Sequence, residues 1–121
     1  MQITRWNSPT PPQEQELRQK MHELGLNPYL WSNAAGDTYT PHTHSYDKVL
    51  YCVRGSIRFT LPDQLDVYGH AIYANLASGD CMILPAGTRH SAQVGPQGVT
   101  CMEAARAPLI TAATLLSLHH S

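Results

Sequence analysis

Two histidines one residue apart, His42 and His44, and a third, His90, that closes the run Pro85-Ala86-Gly87-Thr88-Arg89, are the residues of this sequence best suited to hold a metal ion. On a β-strand side chains alternate faces, so residues 42 and 44 share one side and can hold a single ion between them. His90 is the third ligand if its strand packs alongside. Neutral imidazole suits zinc, nickel, copper, cobalt and iron, and three nitrogens do not choose among them.

Further residues join by strand parity. On an unbroken strand, positions 42, 44, 46 and 48 face one way, which carries Tyr46 and Lys48 into the space of the histidines while Asp47 points away. Only a bulge that shifts the register by one brings Asp47 in. An ammonium beside a divalent cation is electrostatically unfavourable and calls for an anion. Glu103 is the candidate: if Val99 and Cys101 face inward, so does Glu103, which then either pairs with Lys48 or ligates the metal. Its bland alternative is a solvated strand end. Cys52 shares the inward parity, although a small core residue is its commoner fate. Tyr46 and Tyr51 are candidates for the mouth of the pocket, and Arg89 faces away from His90 by alternation. His22, His70, His119 and His120 have no partner at ligand spacing and read as polar surface.

The elements that position these groups follow from periodicity. Thr10-Pro11-Pro12-Gln13 has the form of a helix start with a capping box, Leu17, Met21 and Leu24 recur at helical spacing, and Gly25 and Pro28 stop the run. This predicts an amphipathic helix over residues 11–24 with one apolar stripe, packed outside something larger. From Tyr29 onward short β-type runs follow, over residues 46–53, 56–61, 71–76, 81–84, 91–94 and 99–103. Ile57, Phe59 and Leu61 alternating with Ser56, Arg58 and Thr60 show the clearest period of two, hence a strand with one wet face. Closely spaced short strands predict a barrel or sandwich. Residues 62–70 read as a polar loop or ragged hairpin end. Residues 108–121 form a tail in which Leu109, Ala113 and Leu116 fall at helical spacing.

The 121 residues carry 8 basic and 9 acidic side chains, a formal charge of -1, which gives no electrostatic footprint for nucleic acid or an anionic membrane. No apolar run approaches the roughly 20 residues of a membrane span, and the first residues lack a signal peptide's apolar core. A cytoplasmic protein is expected, with Cys52, Cys81 and Cys101 remaining thiols.

The glycines complete two spaced patterns. Gly36, five residues, His42-Thr43-His44, three residues, Lys48, six residues and Gly55 form the first; Gly79, five residues, Pro85-Ala86-Gly87, two residues, His90, three residues and Val94 form the second. In these spacings the chain resembles the cupin superfamily, with lysine where that family carries its metal-binding glutamate and valine where asparagine usually stands. The resemblance implies an all-β chain, a jelly-roll barrel (double-stranded β-helix) over residues 29–107, preceded by an arm and amphipathic helix over 1–28. It implies one divalent ion, whether zinc, nickel, iron, manganese or cobalt, on His42, His44 and His90, and a small-molecule ligand. It also suggests a homodimer, which the apolar pairs Leu109-Ile110 and Leu115-Leu116 permit. Cupins serve many functions on one shape. The leading expectation is a metal-binding small cupin. Beside it stand an iron-dependent dioxygenase similar to the three-histidine thiol dioxygenases, a binding module in which Lys48 clamps an acidic ligand, and a structural cupin.

Overall fold

The computed structural model describes residues 1–108. The helical spacing and apolar pairs of the tail fall on residues 109–121, outside the described residues. In chain order the elements are β1 (Gln2–Thr4), α1 (Glu14–Glu23), β2 (Tyr29–Asn33), β3 (Thr38–His42), β4 (Asp47–Leu65), β5 (Ala71–Ala77), β6 (Cys81–Leu84) and β7 (His90–Arg106).

Two long strands organise the barrel. The first half of β4 pairs with β6 and with the end of β7, whereas its second half pairs with β5 and with the beginning of β7. Strand β2 extends one side of β7 and β3 another, while β1 lies on β6. Each long strand therefore passes from one sheet to the other, and all pairings are antiparallel, as a jelly roll requires. The expected runs 46–53 and 56–61 are thus one strand, as are 91–94 and 99–103. The breaks read from the sequence are real but local. Register shifts between Cys52 and Arg54 and between Gly55 and Ile57 bend β4 without ending it. Gly55 sits at φ 78°, and a Cβ there would lie 2.0 Å from the carbonyl oxygen of Gly98, so this corner admits only glycine. Past Pro62, β4 runs on to Leu65, which shortens the expected loop to a turn closed by the Asp66 and His70 backbones.

Alternation along β4 makes two cores. Leu50, Cys52, Ile57, Phe59 and Leu61 point into the barrel, where they meet Leu76, Met82, Leu84, Val94 and Cys101. Val49 and Val53 point outward and, with Met102 and Ala104, receive Leu17 and Met21 of α1. The helix therefore packs on the outside of the barrel, but its start differs from the expectation. Thr10 does not cap it: α1 begins at Glu14, the N-cap is Gln13, and no side chain caps the end. A missing cap costs about 1 kcal/mol, whereas full burial of Leu17 and Met21 contributes roughly 1.5–3 kcal/mol each, so docking outweighs capping. The other end matches the sequence pattern. Gly25 at φ 74° lets its N–H reach His22 O and that of Leu26 reach Met21 O, after which Leu26 joins the buried cluster while Leu24 stays exposed.

Candidate metal centre

His42 closes β3, His90 opens β7, and the two are register partners. His44 departs from the expected strand alternation: it lies in the link between β3 and β4, beyond the last strand residue. Its position comes from the second glycine pattern. The tight turn of Pro85 to Gly87 donates the Gly87 N–H to the His44 carbonyl at 2.8 Å. Asp47, which points away from the site, accepts the Ala86 N–H at 2.9 Å and bonds Arg106 at 3.2 Å. The Ala86 bond and the Arg106 guanidinium hold its carboxyl below the ordinary range despite burial. Asp47 thus braces the turn that sets His44 and supplies no ligand.

The three rings converge, with centroids 4.8 Å (42–44), 4.4 Å (42–90) and 5.2 Å (44–90) apart. His42 Nδ1 lies 2.8 Å from the Thr40 carbonyl and His90 Nδ1 2.8 Å from the Thr88 carbonyl. A carbonyl only accepts, so each Nδ1 carries the proton and each Nε2 keeps a lone pair. The Nε2 atoms of His44 and His90 are buried without a partner among the described residues. Orphaned buried ring nitrogens of this kind are uncommon unless something binds them. The ligand atoms of all three residues lie within 4.8 Å of one another. A tetrahedral ion about 2.1 Å from each nitrogen sets the nitrogens about 3.4 Å apart, so a pair at the 4.8 Å limit closes by about 1.4 Å as the ion binds.

Lys48 and Glu103 complete the inner end of the site. Lys48 lies opposite Ala105 and Glu103 opposite Leu50, so the two are diagonal neighbours across β4 and β7. Both are buried, and Nζ to Oε1 is 3.1 Å. Glu103 also accepts the Tyr29 hydroxyl at 2.7 Å and the Trp31 indole N–H at 3.1 Å. Of the two inward roles open to Glu103, the geometry is that of the ion pair: the carboxylate accepts two hydrogen bonds, lies beside the Lys48 ammonium and stands outside the histidine group. Burial first, then the Glu103 hydrogen bond, raise the Tyr29 phenol above its ordinary range, which keeps it a donor.

Around these groups lies a cavity of about 270 Å³, lined by the three histidines, Lys48, Glu103, Ile57, Ala92 and five aromatic residues, Tyr29, Trp31, Tyr39, Tyr46 and Phe59. Tyr46 stacks on His44 at 4.9 Å. Of the two further candidates neither lines the cavity. Cys52 faces inward and takes the commoner fate of a core residue, with its thiol toward the Arg54 and Gly55 carbonyls. Tyr51 has the opposite parity and packs in the cluster beneath α1. Tyr29, Trp31 and Tyr39 were missed because β2 and β3 are short and carry no clear alternation. Phe59 was legible as buried but not as cavity wall.

Burial pushes the His90 imidazole down to about 4 from 6.5, with His42, Lys48 and His44 adding to the shift. Burial lowers His44 as well. A depressed imidazole stays neutral in the fold while the unfolded chain takes up a proton. Stability of the metal-free protein is therefore complete above pH 6.5 and falls between 6.5 and about 4, by at most about 3 kcal/mol from His90. Urea unfolding of chelator-treated protein across that range should show a shallower pH slope in His90→Gln, and equal slopes would refute the assignment.

No protein-family model matches the sequence, and no curated protein matches it. Solved structures do match. One is a protein of unknown function from Rhizobium leguminosarum, 12% identical, with TM-score 0.56 over 68% of this chain and 70% of that one. A cupin-2 domain containing protein from Shewanella frigidimarina is 18% identical, with TM-score 0.51 over 65% of this chain and 68% of that one. Oxalate decarboxylase from Bacillus subtilis, a protein with Mn(II) centres, is 22% identical, with TM-score 0.56 over 75% of this chain. The matched region spans only 24% of that decarboxylase. At these identities the likenesses show the fold. Among the described residues no helix is long and apolar enough to cross a membrane.

Proposed function

We propose that this chain, whose fold is that of the cupins, binds one divalent metal ion through Nε2 of His42, His44 and His90 and presents it to a small molecule in the aromatic cavity. The observation that carries the reading is the pair of buried, partnerless Nε2 atoms beside ring nitrogens locked by the Thr40 and Thr88 carbonyls. Such backbone bonds fix the tautomer and aim the lone pair, the usual support of a metal-ligating histidine. Bound there, a divalent ion supplies Lewis acidity and, with three protein ligands, positions open to water or substrate. The chain's own part is to hold the ligand against aromatic walls, to exclude bulk water, and to keep the Lys48–Glu103 pair at the inner end.

Elemental analysis of protein purified without added metal is expected to find one divalent ion per chain. Oxygen uptake by the iron-loaded form in the presence of small-molecule substrates separates an oxygenase from a binding protein. Metal below a tenth of an equivalent, even after incubation with zinc, nickel, iron, manganese or cobalt, would overturn the proposal.

A further inference from the structure

We infer that the cavity takes a small carboxylate with a flat apolar body, its charged end held by Lys48; this rests on the metal-binding reading above. Neutral imidazoles bring no charge to an ion. Among the described residues lining the cavity the charged side chains are Lys48 and Glu103, and they cancel. A bound divalent ion therefore leaves its double charge uncompensated between aromatic walls, where counter-charge is worth far more than in water. Among the described residues that line the cavity no carboxylate is free to supply it, since Glu103 is engaged by Lys48, Trp31 and Tyr29.

Lys48 is in the opposite condition. An ammonium has three donors, and among the described residues the acidic oxygen paired with it is Oε1 of Glu103 at 3.1 Å. The rest of its surroundings are ring faces, Phe59 at 5.5 Å and Trp31 at 6.0 Å, which attract the cation without replacing a charged acceptor. At least two N–H groups thus remain for a ligand anion in the cavity that Lys48 lines. A carboxylate there neutralises the excess positive charge. The remaining walls, Tyr29, Trp31, Tyr39, Tyr46 and Phe59, favour a body that stacks. At about 270 Å³ the cavity lies below the range of drug-sized sites, which sets the scale near a single ring.

The test uses benzoate and its neutral isostere benzamide, titrated calorimetrically into zinc-loaded full-length protein whose metal content is measured on the same preparation. Benzoate is expected to bind at least about tenfold more tightly. The Lys48→Met/Glu103→Gln variant removes both charges together; it should retain zinc and lose at least about threefold of that preference. A second readout needs no variant. The chain has two lysines, Lys20 and Lys48. In protein labelled with 15N-lysine, the Lys48 Nζ signal should shift with benzoate and not with benzamide. Equal affinities with zinc bound, or an unmoved Lys48 signal, would overturn the inference and leave the metal site standing. Failure to bind zinc would instead remove the reading beneath it, and the inference with it.

Discussion

Glu103→Gln is expected to unfold with about 3–5 kcal/mol less free energy than the native protein, the usual cost of removing one member of a buried ion pair. The substitution is nearly isosteric, so packing changes little. What changes is that the Lys48 ammonium, 8% exposed, loses the carboxylate 3.1 Å away, while Tyr29 and Trp31 keep one amide oxygen between them. Lys48→Met strands the carboxylate in turn, though two neutral donors remain to it. Removing both charges leaves neither ion unpaired, so Lys48→Met/Glu103→Gln should recover most of the loss. Urea unfolding of the two single variants and the double variant completes the cycle. A Glu103→Gln protein within 1 kcal/mol of the native chain would mean that water reaches the pair and that its burial is not what holds it together.

Alanine at His42, His44 or His90 should each lower metal affinity by more than about 100-fold, the upper end of what is lost when only an outer partner of a metal ligand is removed. Stability should respond differently. In the metal-free protein the His44 and His90 Nε2 atoms are already buried without partners, so His44→Ala relinquishes no hydrogen bond from that atom. The metal-free His44→Ala variant should therefore melt close to the metal-free native chain, and added metal should raise the melting temperature of the native chain alone. Competition with a chelating dye reads the affinity, and native-like binding in any of the three variants would exclude that histidine as a ligand.

Much of this centre is visible in consecutive residues. Positive φ at Gly25, Gly36, Gly55, Gly79 and Gly87 is a property of single positions, which is why glycine spacing marks the turns. The inward facing of Lys48, Leu50 and Cys52, and of Val99, Cys101 and Glu103, follows from a period of two that needs no partner strand to be counted. The same logic failed where the backbone leaves the strand. His44 lies past the end of β3, and its alignment with His42 comes from the turn at residues 85–87, which Asp47 braces. Thr10 has the chemistry of a cap, yet the helix begins where Leu17 and Met21 meet β4 and β7.

By itself the sequence determined the barrel class, the three candidate histidines and the parity that turns Lys48 toward them, because turn chemistry and alternation are local. Only the tertiary structure decided that Glu103 is taken by Lys48, Tyr29 and Trp31, that Cys52 is core, and that five aromatic rings wall the cavity. Those facts depend on register: Tyr29 reaches Glu103 because β2 pairs with β7 across more than 70 positions of chain. Such a register is set by the packing of the whole inner face at once, and no run of neighbouring residues contains it.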